Sequence, residues 1–340
     1  MSQSEPTGAP TPDRIFQTML AYQASAALKG AIELGLFTAI ADGATTAAAL
    51  ATQCQASERG IRILCDYLGA TGFLTKDGDN YGLAPDTAIF LNQHSPAYLG
   101  SLTRFLNSSY VMGGFQDIAE TVRRGTTLLG GTGSMEPEHP MWVEFARAMV
   151  PMMFPAAEEI AQIVDADQGK PCRVLDIAAG HGIFGVLIAK HNPNAEITAV
   201  DWKAVLAVAE ENAQHFGVAD RFHTVPGSAF DVDYGTGYDF VLFTNFFHHF
   251  DEPTCEMLMK KALASLNEGG RAVTLEFAPN EDRISPPPLA TFGLTMLATT
   301  GSGEAYTVGD YDRMFRNAGY ARTEMHQLTK SPQRVIVSYK

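Results

Sequence analysis

"VLDIAAGHGIFG", running from Val174 to Gly185, is the stretch on which the fold turns. An aliphatic run leads into small residues, and Gly180, Gly182 and Gly185 satisfy the G-x-G-x-x-G spacing expected between a strand and a helix. Asp201 closes the next apolar run, "AEITAVDW", about twenty residues further on. The glycines alone leave the ligand open. A nicotinamide dinucleotide site has the same layout, with the acid on a ribose hydroxyl.

Asp176 separates the readings. It stands just before the glycines, where a dinucleotide would bring its pyrophosphate, and a carboxylate there would repel an anion in a poorly screened pocket. It suits a ligand carrying an ammonium and a sulfonium instead. Asp176 near an amino acid moiety and Asp201 on a ribose diol favour S-adenosylmethionine.

Beyond Pro171 short β-rich runs alternate with helical segments. "CRVLDIAAG", "AEITAVDW", "YDFVLFTN", "GGRAVTLEFAP" and "RVIVSYK" read as strands; "AVLAVAEENAQHFG" and "TCEMLMKKALASLNEGG" read as helices between them. That alternation predicts a parallel, doubly wound sheet. Residues 106–168 read as helical, with a glycine-rich break at "GGTGS".

From Arg14 to about Phe105 the periodicity is helical. "RIFQTMLAYQASAALKGAIELGLFTAI" predicts one or two amphipathic helices. "TTAAALATQC" and "SERGIRILCDYLGATGF" predict two more, the second with Ser57 as N-cap and Gly72 near its end. "LTKDGDNYGLAP" predicts a hairpin turning at Asp77 and Gly78. Three helices and a hairpin make a winged-helix order, which raises DNA binding. Charge argues against it: the first 100 residues hold five basic and nine acidic side chains, and the wing itself is acidic.

The whole chain points the same way. It has 340 residues and a formal net charge of −14, which disfavours nucleic acid and anionic membrane partners. Hydrophobic content of 46% and charged content of 18% are those of a packed soluble protein of two domains. No apolar run reaches the roughly 18 residues that span a bilayer. "MSQSEPTGAPTPD" lacks a basic or apolar leader and predicts a disordered lead-in. Cys54, Cys65, Cys172 and Cys255 are scattered without a C-x-x-C pair, as free thiols of the cytoplasm would be.

"VLDIAAGHG", "AVDW", "VPGSAF", "NFFHHF" and "LNEGGRAVTLE" resemble, in order and spacing, class I S-adenosylmethionine-dependent methyltransferases. Within these the chain resembles the bacterial relatives of plant caffeate-type small-molecule O-methyltransferases, over nearly its whole length. The resemblance implies an α/β fold: a doubly wound Rossmann-like sheet preceded by a mainly helical, winged-helix-like dimerisation domain. The expected organisation is a lead-in at 1–13, the dimerisation domain at 14–105, and a helical acceptor-pocket segment with the methyltransferase domain at 106–340. It also implies a homodimer and an aromatic small-molecule acceptor, as in secondary metabolism.

The family's base matches His248, and the family's glutamate on the following strand matches Glu276, which would orient it. A neutral imidazole, with a reference pKa of about 6.5, can take a phenolic proton at neutral pH. The expected cofactor contacts are Asp176, Gly180, Gly182, Asp201, Trp202, Ser228, Phe230 and Asn245. Ser228 stands where the family usually has Asp beside the adenine, and Phe230 can pack on the base. Met149, Met152, Met153, Phe154 and Met296 are the expected acceptor-pocket residues, thioethers being adaptable partners for a flat guest.

Two departures stand out. His249 fills a position usually held by Asp, and "GEAYT" puts Glu304 one place out of register with a second family glutamate. They leave N- or C-methylation, or a non-methylating use of the cofactor, open beside O-methylation; a nicotinamide oxidoreductase is the more distant alternative. Metal binding by the adjacent histidines is disfavoured, because neighbouring side chains of an extended chain diverge and no third ligand has matching spacing.

Overall fold

The structure, a computed structural model, describes residues 10–130, 138–139 and 141–340. Most of the expected lead-in, and most of "GGTGS", lies outside these residues. The chain divides into two compact units, the first ending at Thr103 and the second running from Arg104 to Lys340.

The first unit contains α1 (Asp13–Glu33), α2 (Leu36–Ala41), α3 (Ala47–Gln53), α4 (Glu58–Ala70), strands β1 (Leu74–Asp77) and β2 (Asn80–Leu83), and α5 (Pro85–Phe90). The long helical pattern is thus two helices, parted at Gly35. Ser57 caps α4, accepting the Gly60 N–H at 3.1 Å. The hairpin pairs Asp77 with Asn80, and a bridge from Thr46 to Asn80 gives the wing a third, short edge. Leu36, Phe37, Leu50, Ile61, Leu68 and Tyr81 form its core. Along α1, by contrast, Ile15, Phe16, Met19, Leu20 and Tyr22 are exposed within the chain.

The second unit opens with three short helices, α6 (Thr103–Leu106), α7 (Ser109–Gly114) and α8 (Ile118–Arg124), then the long α9 (Met141–Ile163). The segment after Gly125, to residue 130, is irregular rather than helical. β3 (Cys172–Ile177), α10 (Ile183–His191), β4 (Ala195–Asp201), α11 (Lys203–His215), β5 (Phe222–Pro226), β6 (Tyr238–Thr244), α12 (Glu252–Ser265) and β7 (Leu266–Glu276) follow. The chain closes with α13 (Pro287–Ala290), α14 (Phe292–Thr299), α15 (Val308–Ala318), β8 (Arg322–Gln327) and β9 (Arg334–Tyr339).

Seven strands form one sheet in the order β5-β4-β3-β6-β7-β9-β8. The expectation of a parallel sheet needs correction: β9 runs antiparallel to both β7 and β8. A short connection between neighbouring strands demands a reversal, whereas parallel pairing needs a crossover. β5 and β8 are additional to the five expected strands, their polar and short patterns giving little periodicity. Phe243, Phe247, Leu258, Met259, Met314 and Phe315 fill the layer between the sheet and the helices α12 and α15. Side chains of that size stabilise the fold by about 1.5–3 kcal/mol each on burial.

Chain order reverses between β3 and β6, so the carboxyl ends of β4, β3 and β6 open onto one crevice.

Candidate active site

A cavity of about 310 Å³ occupies that crevice. Its wall is built from the loops that leave β3, β4, β5 and β6, with Trp142, Phe145 and Met153 of α9 across from them. Among the described residues, no Lys or Arg borders it.

The loop after β3 turns sharply, with positive φ at Ala178, Gly180 and Gly182. The Gly180 N–H donates to Asp201 Oδ2 at 2.8 Å, and the Trp202 N–H donates to Oδ1 at 2.6 Å. Burial pushes the Asp201 carboxyl up to about 6, against the pull of those two bonds. Gly180, Asp201, Trp202, Ser228, Phe230 and Asn245 all border the cavity, as does Met153.

Asp176 and Gly182, also expected at the cofactor, are not among the residues that border the cavity. Alternation along β3 sends Leu175 and Ile177 into the core and Asp176 to the opposite face, against α10. There it is fully buried, its Oδ2 accepting the Gly185 N–H at 3.3 Å and its Oδ1 without a partner among the described residues. Gly182 serves packing: a Cβ on it would stand 2.7 Å from the Ala209 Cβ of α11.

The α9 expectations divide in the same way. Trp142, Phe145 and Met153 share the helix face turned to the cavity, whereas Met152 is exposed and Phe154 leans towards Phe216 at 6.0 Å between ring centroids. Met149 and Met296 are buried off the cavity wall. His181, Gly227, Asp231, Thr244, Phe246, Trp142 and Phe145 are wall residues that sequence reading missed. Position directly beside the glycines or after β5 was the available signal for His181, Gly227 and Asp231.

The loop after β5 is held from below. Lys261 of α12 donates to the carbonyls of Ala229 and Phe230 at 3.0 and 2.8 Å, and Phe230 meets Phe250 edge-on.

Beyond β6 the backbone takes positive φ at Asn245 and enters a tight turn through His249. Glu276, the last residue of β7 and 1% exposed, organises that turn. Its Oε1 accepts the N–H groups of Phe246 and Phe247 at 3.0 and 2.9 Å, and its Oε2 lies 2.5 Å from His248 Nδ1. With the carboxylate as acceptor in this contact, Nδ1 would carry the proton and Nε2 would present a lone pair. Phe292 of α14 packs edge-on against the His248 ring, with 4.9 Å between ring centroids. Asn245 is held between Met153 Sδ and the side chain of Gln333.

The adjacent histidines differ. His249, not His248, borders the cavity. Its Nδ1 is buried without a partner among the described residues, and burial together with the neighbouring His248 holds its imidazole well below the ordinary histidine range. Glu304 pairs with Arg283 at 2.6 Å. Among the described residues, no group of three His, Cys, Asp or Glu stands close enough to hold a metal ion.

A nucleoside-sized cavity at a topological switch point, with an acid at the β4 edge and a buried His–Glu pair at the β6–β7 edge, defines the class of Rossmann-like group-transfer enzymes. Residues 16–93 match the model of the O-methyltransferase dimerisation domain, and residues 174–270 match that of a methyltransferase domain. A crystal structure from Nostoc punctiforme, provisionally described as an O-methyltransferase, is 50% identical, with a TM-score of 0.94, covering 98% of this chain and 100% of its own. The chain belongs to the O-methyltransferase family, and it is a methyltransferase.

Two more distant relatives cover most of it. The 3-hydroxy-5-methyl-1-naphthoate 3-O-methyltransferase of Streptomyces sahachiroi is 26% identical over 86% of this chain and 84% of its own length. Human N-acetylserotonin methyltransferase in complex with SAM has the same fold at a TM-score of 0.84 and 20% identity, covering 98% of this chain and 99% of its own. Among the described residues, no helix is long and apolar enough to cross a membrane.

Proposed function

We propose that this protein transfers a methyl group from S-adenosylmethionine to a hydroxyl of an aromatic small molecule, with His248 as the general base. The observation that carries this reading is the 2.5 Å contact of His248 Nδ1 with buried Glu276, one residue from the cavity wall.

The cavity fits the cofactor. Asp201 offers acceptor oxygens for a ribose diol, and Phe230 and Ser228 flank the space expected for the base. The lack of a bordering cation disfavours a pyrophosphate and with it a nicotinamide dinucleotide. When bound, S-adenosylmethionine supplies an electrophilic methyl carbon. The protein's part is to hold the hydroxyl in line with it and to take the proton at His248 Nε2 as the new C–O bond forms. Glu276 then faces an imidazolium, which its negative charge stabilises.

His249 as the base is a second reading, favoured by its place on the wall. Two facts weigh against it: nothing orients its ring by hydrogen bond among the described residues, and its imidazole resists protonation. The dimerisation-domain match and the exposed apolar face of α1 support a homodimer. Four free cysteines are in keeping with the cytoplasm. We assign residues 14–105 to the dimerising part and 106–340 to the methyltransferase part.

The test is labelled-methyl transfer from S-adenosylmethionine to a panel of phenols, amines and activated carbons, with wild type and His248→Ala. Phenol methylation that falls roughly 10²–10⁴-fold in the variant, with cofactor affinity kept, supports the reading. Undiminished turnover in the variant overturns the base, and turnover of amines or carbons alone overturns O-methylation.

A further inference from the structure

We propose that His181 is a neutral hydrogen-bond donor to the α-carboxylate of the methionyl arm, an assignment that rests on the S-adenosylmethionine reading above.

The sheet order lays out the ligand. Phe230 and Ser228 follow β5, Asp201 ends β4, the glycine loop follows β3, and the histidine turn follows β6, in the spatial order β5-β4-β3-β6. With the ribose at Asp201 and the transferable methyl directed to the histidines, the methionyl arm lies over the end of β3. His181 sits there, between Gly180 and Gly182, on the cavity wall.

A carboxylate at that place meets no lysine or arginine among the described lining residues. It must be held by neutral donors. The Gly180 N–H is given to Asp201 and one Asn245 amide N–H to Met153 Sδ, while Ser228, whose Oγ accepts the Phe230 N–H, follows β5 at the other end of the cavity. Trp202 follows Asp201 directly, its backbone N–H bonded to that carboxylate, and the Trp142 ring meets His249 edge-on.

The tautomer of His181 is set by its own loop. Nδ1 accepts the Ile183 N–H at 3.2 Å, so it carries a lone pair. Burial lowers the imidazole to about 4, so the ring is neutral at physiological pH. The remaining proton is therefore on Nε2. No hydrogen bond engages that nitrogen among the described residues, and His181 borders the cavity. A bare N–H donor suits a carboxylate and rejects an ammonium.

Ligands that differ only at the methionyl arm test this. Titration calorimetry on the full chain would compare S-adenosylhomocysteine with 5′-methylthioadenosine, which lacks the amino acid, in wild type, His181→Phe and His181→Gln. We expect His181→Phe to weaken S-adenosylhomocysteine about ten- to hundredfold while methylthioadenosine changes less than about twofold, and His181→Gln, which keeps a donor, to recover part of the loss. Equal weakening of both ligands, or of neither, overturns the proposal. Wild type that binds neither ligand overturns the cofactor reading itself, a distinguishable result.

Discussion

Glu276 spans two roles with two oxygens: Oε1 gathers the backbone N–H groups of Phe246 and Phe247, and Oε2 meets His248 Nδ1 at 2.5 Å. The residue that shapes the turn is the residue that sets the histidine's tautomer. Separating those functions is the first prediction. Glu276→Gln keeps one acceptor for the backbone but offers an amide donor to Nδ1, favouring the wrong tautomer. Steady-state kinetics should show kcat down roughly 10²–10⁴-fold with the Kd for S-adenosylhomocysteine within about twofold. A kcat near wild type would mean that Nε2 needs no orientation.

Affinity for the cofactor should depend on pH through Asp201. Its carboxyl is raised to about 6 chiefly by burial, and ribose hydroxyls donate best to its ionised form. Binding therefore releases a proton when the pH is below that value, and affinity rises with pH until the group is ionised. We expect the Kd for S-adenosylhomocysteine to be about tenfold higher near pH 5 than near pH 8, and Asp201→Asn to be weak at both. Calorimetry at the two pH values checks it; a flat wild-type profile refutes the ribose role.

Asp176 should make the protein less stable in alkali. Burial, with a lesser push from Asp201, raises it to about 8. Its folded value lies above the unfolded one, so the stability it contributes is fully present below about 4 and is lost as pH rises through about 8. The wild-type Tm should fall between roughly pH 4 and 8 and level off above that, and Asp176→Asn, which still accepts from Gly185, should flatten that decline. Scanning calorimetry across the range decides it. A wild-type curve no steeper than the variant's would show that the carboxyl is not protonated when folded.

Gly303 tests the rigidity of the histidine turn. A Cβ there would collide with the His248 carbonyl oxygen and stand 3.0 Å from the His249 carbonyl carbon, both backbone atoms that cannot swing aside. Gly303→Ala should displace the turn, lowering kcat by roughly tenfold or more and Tm by a few degrees, while cofactor affinity changes little. Activity and Tm equal to wild type would mean that the contact yields without cost.

Much of the fold was legible because its signals are local. Helical periodicity, Ser57 before α4, the turn in β1–β2 and the glycine loop after β3 each depend on residues within one or two turns of chain. Asp201 and Glu276 could be placed because strand-end residues of a doubly wound sheet share one edge. β8 escaped notice because its faces are mostly exposed, leaving no apolar alternation to read.

The sequence by itself thus determined a two-part chain with a nucleotide-type βαβ unit and acids and histidines at strand ends. Only the tertiary structure decided where those side chains face. Asp176 is turned into the sheet–helix layer by the pleat, His249 reaches the cavity wall, and His248 is turned to Glu276, 28 residues away in sequence. Direction is a property of register and backbone twist, which long-range strand pairing imposes; neighbouring residues of one type therefore look equivalent until the sheet is assembled.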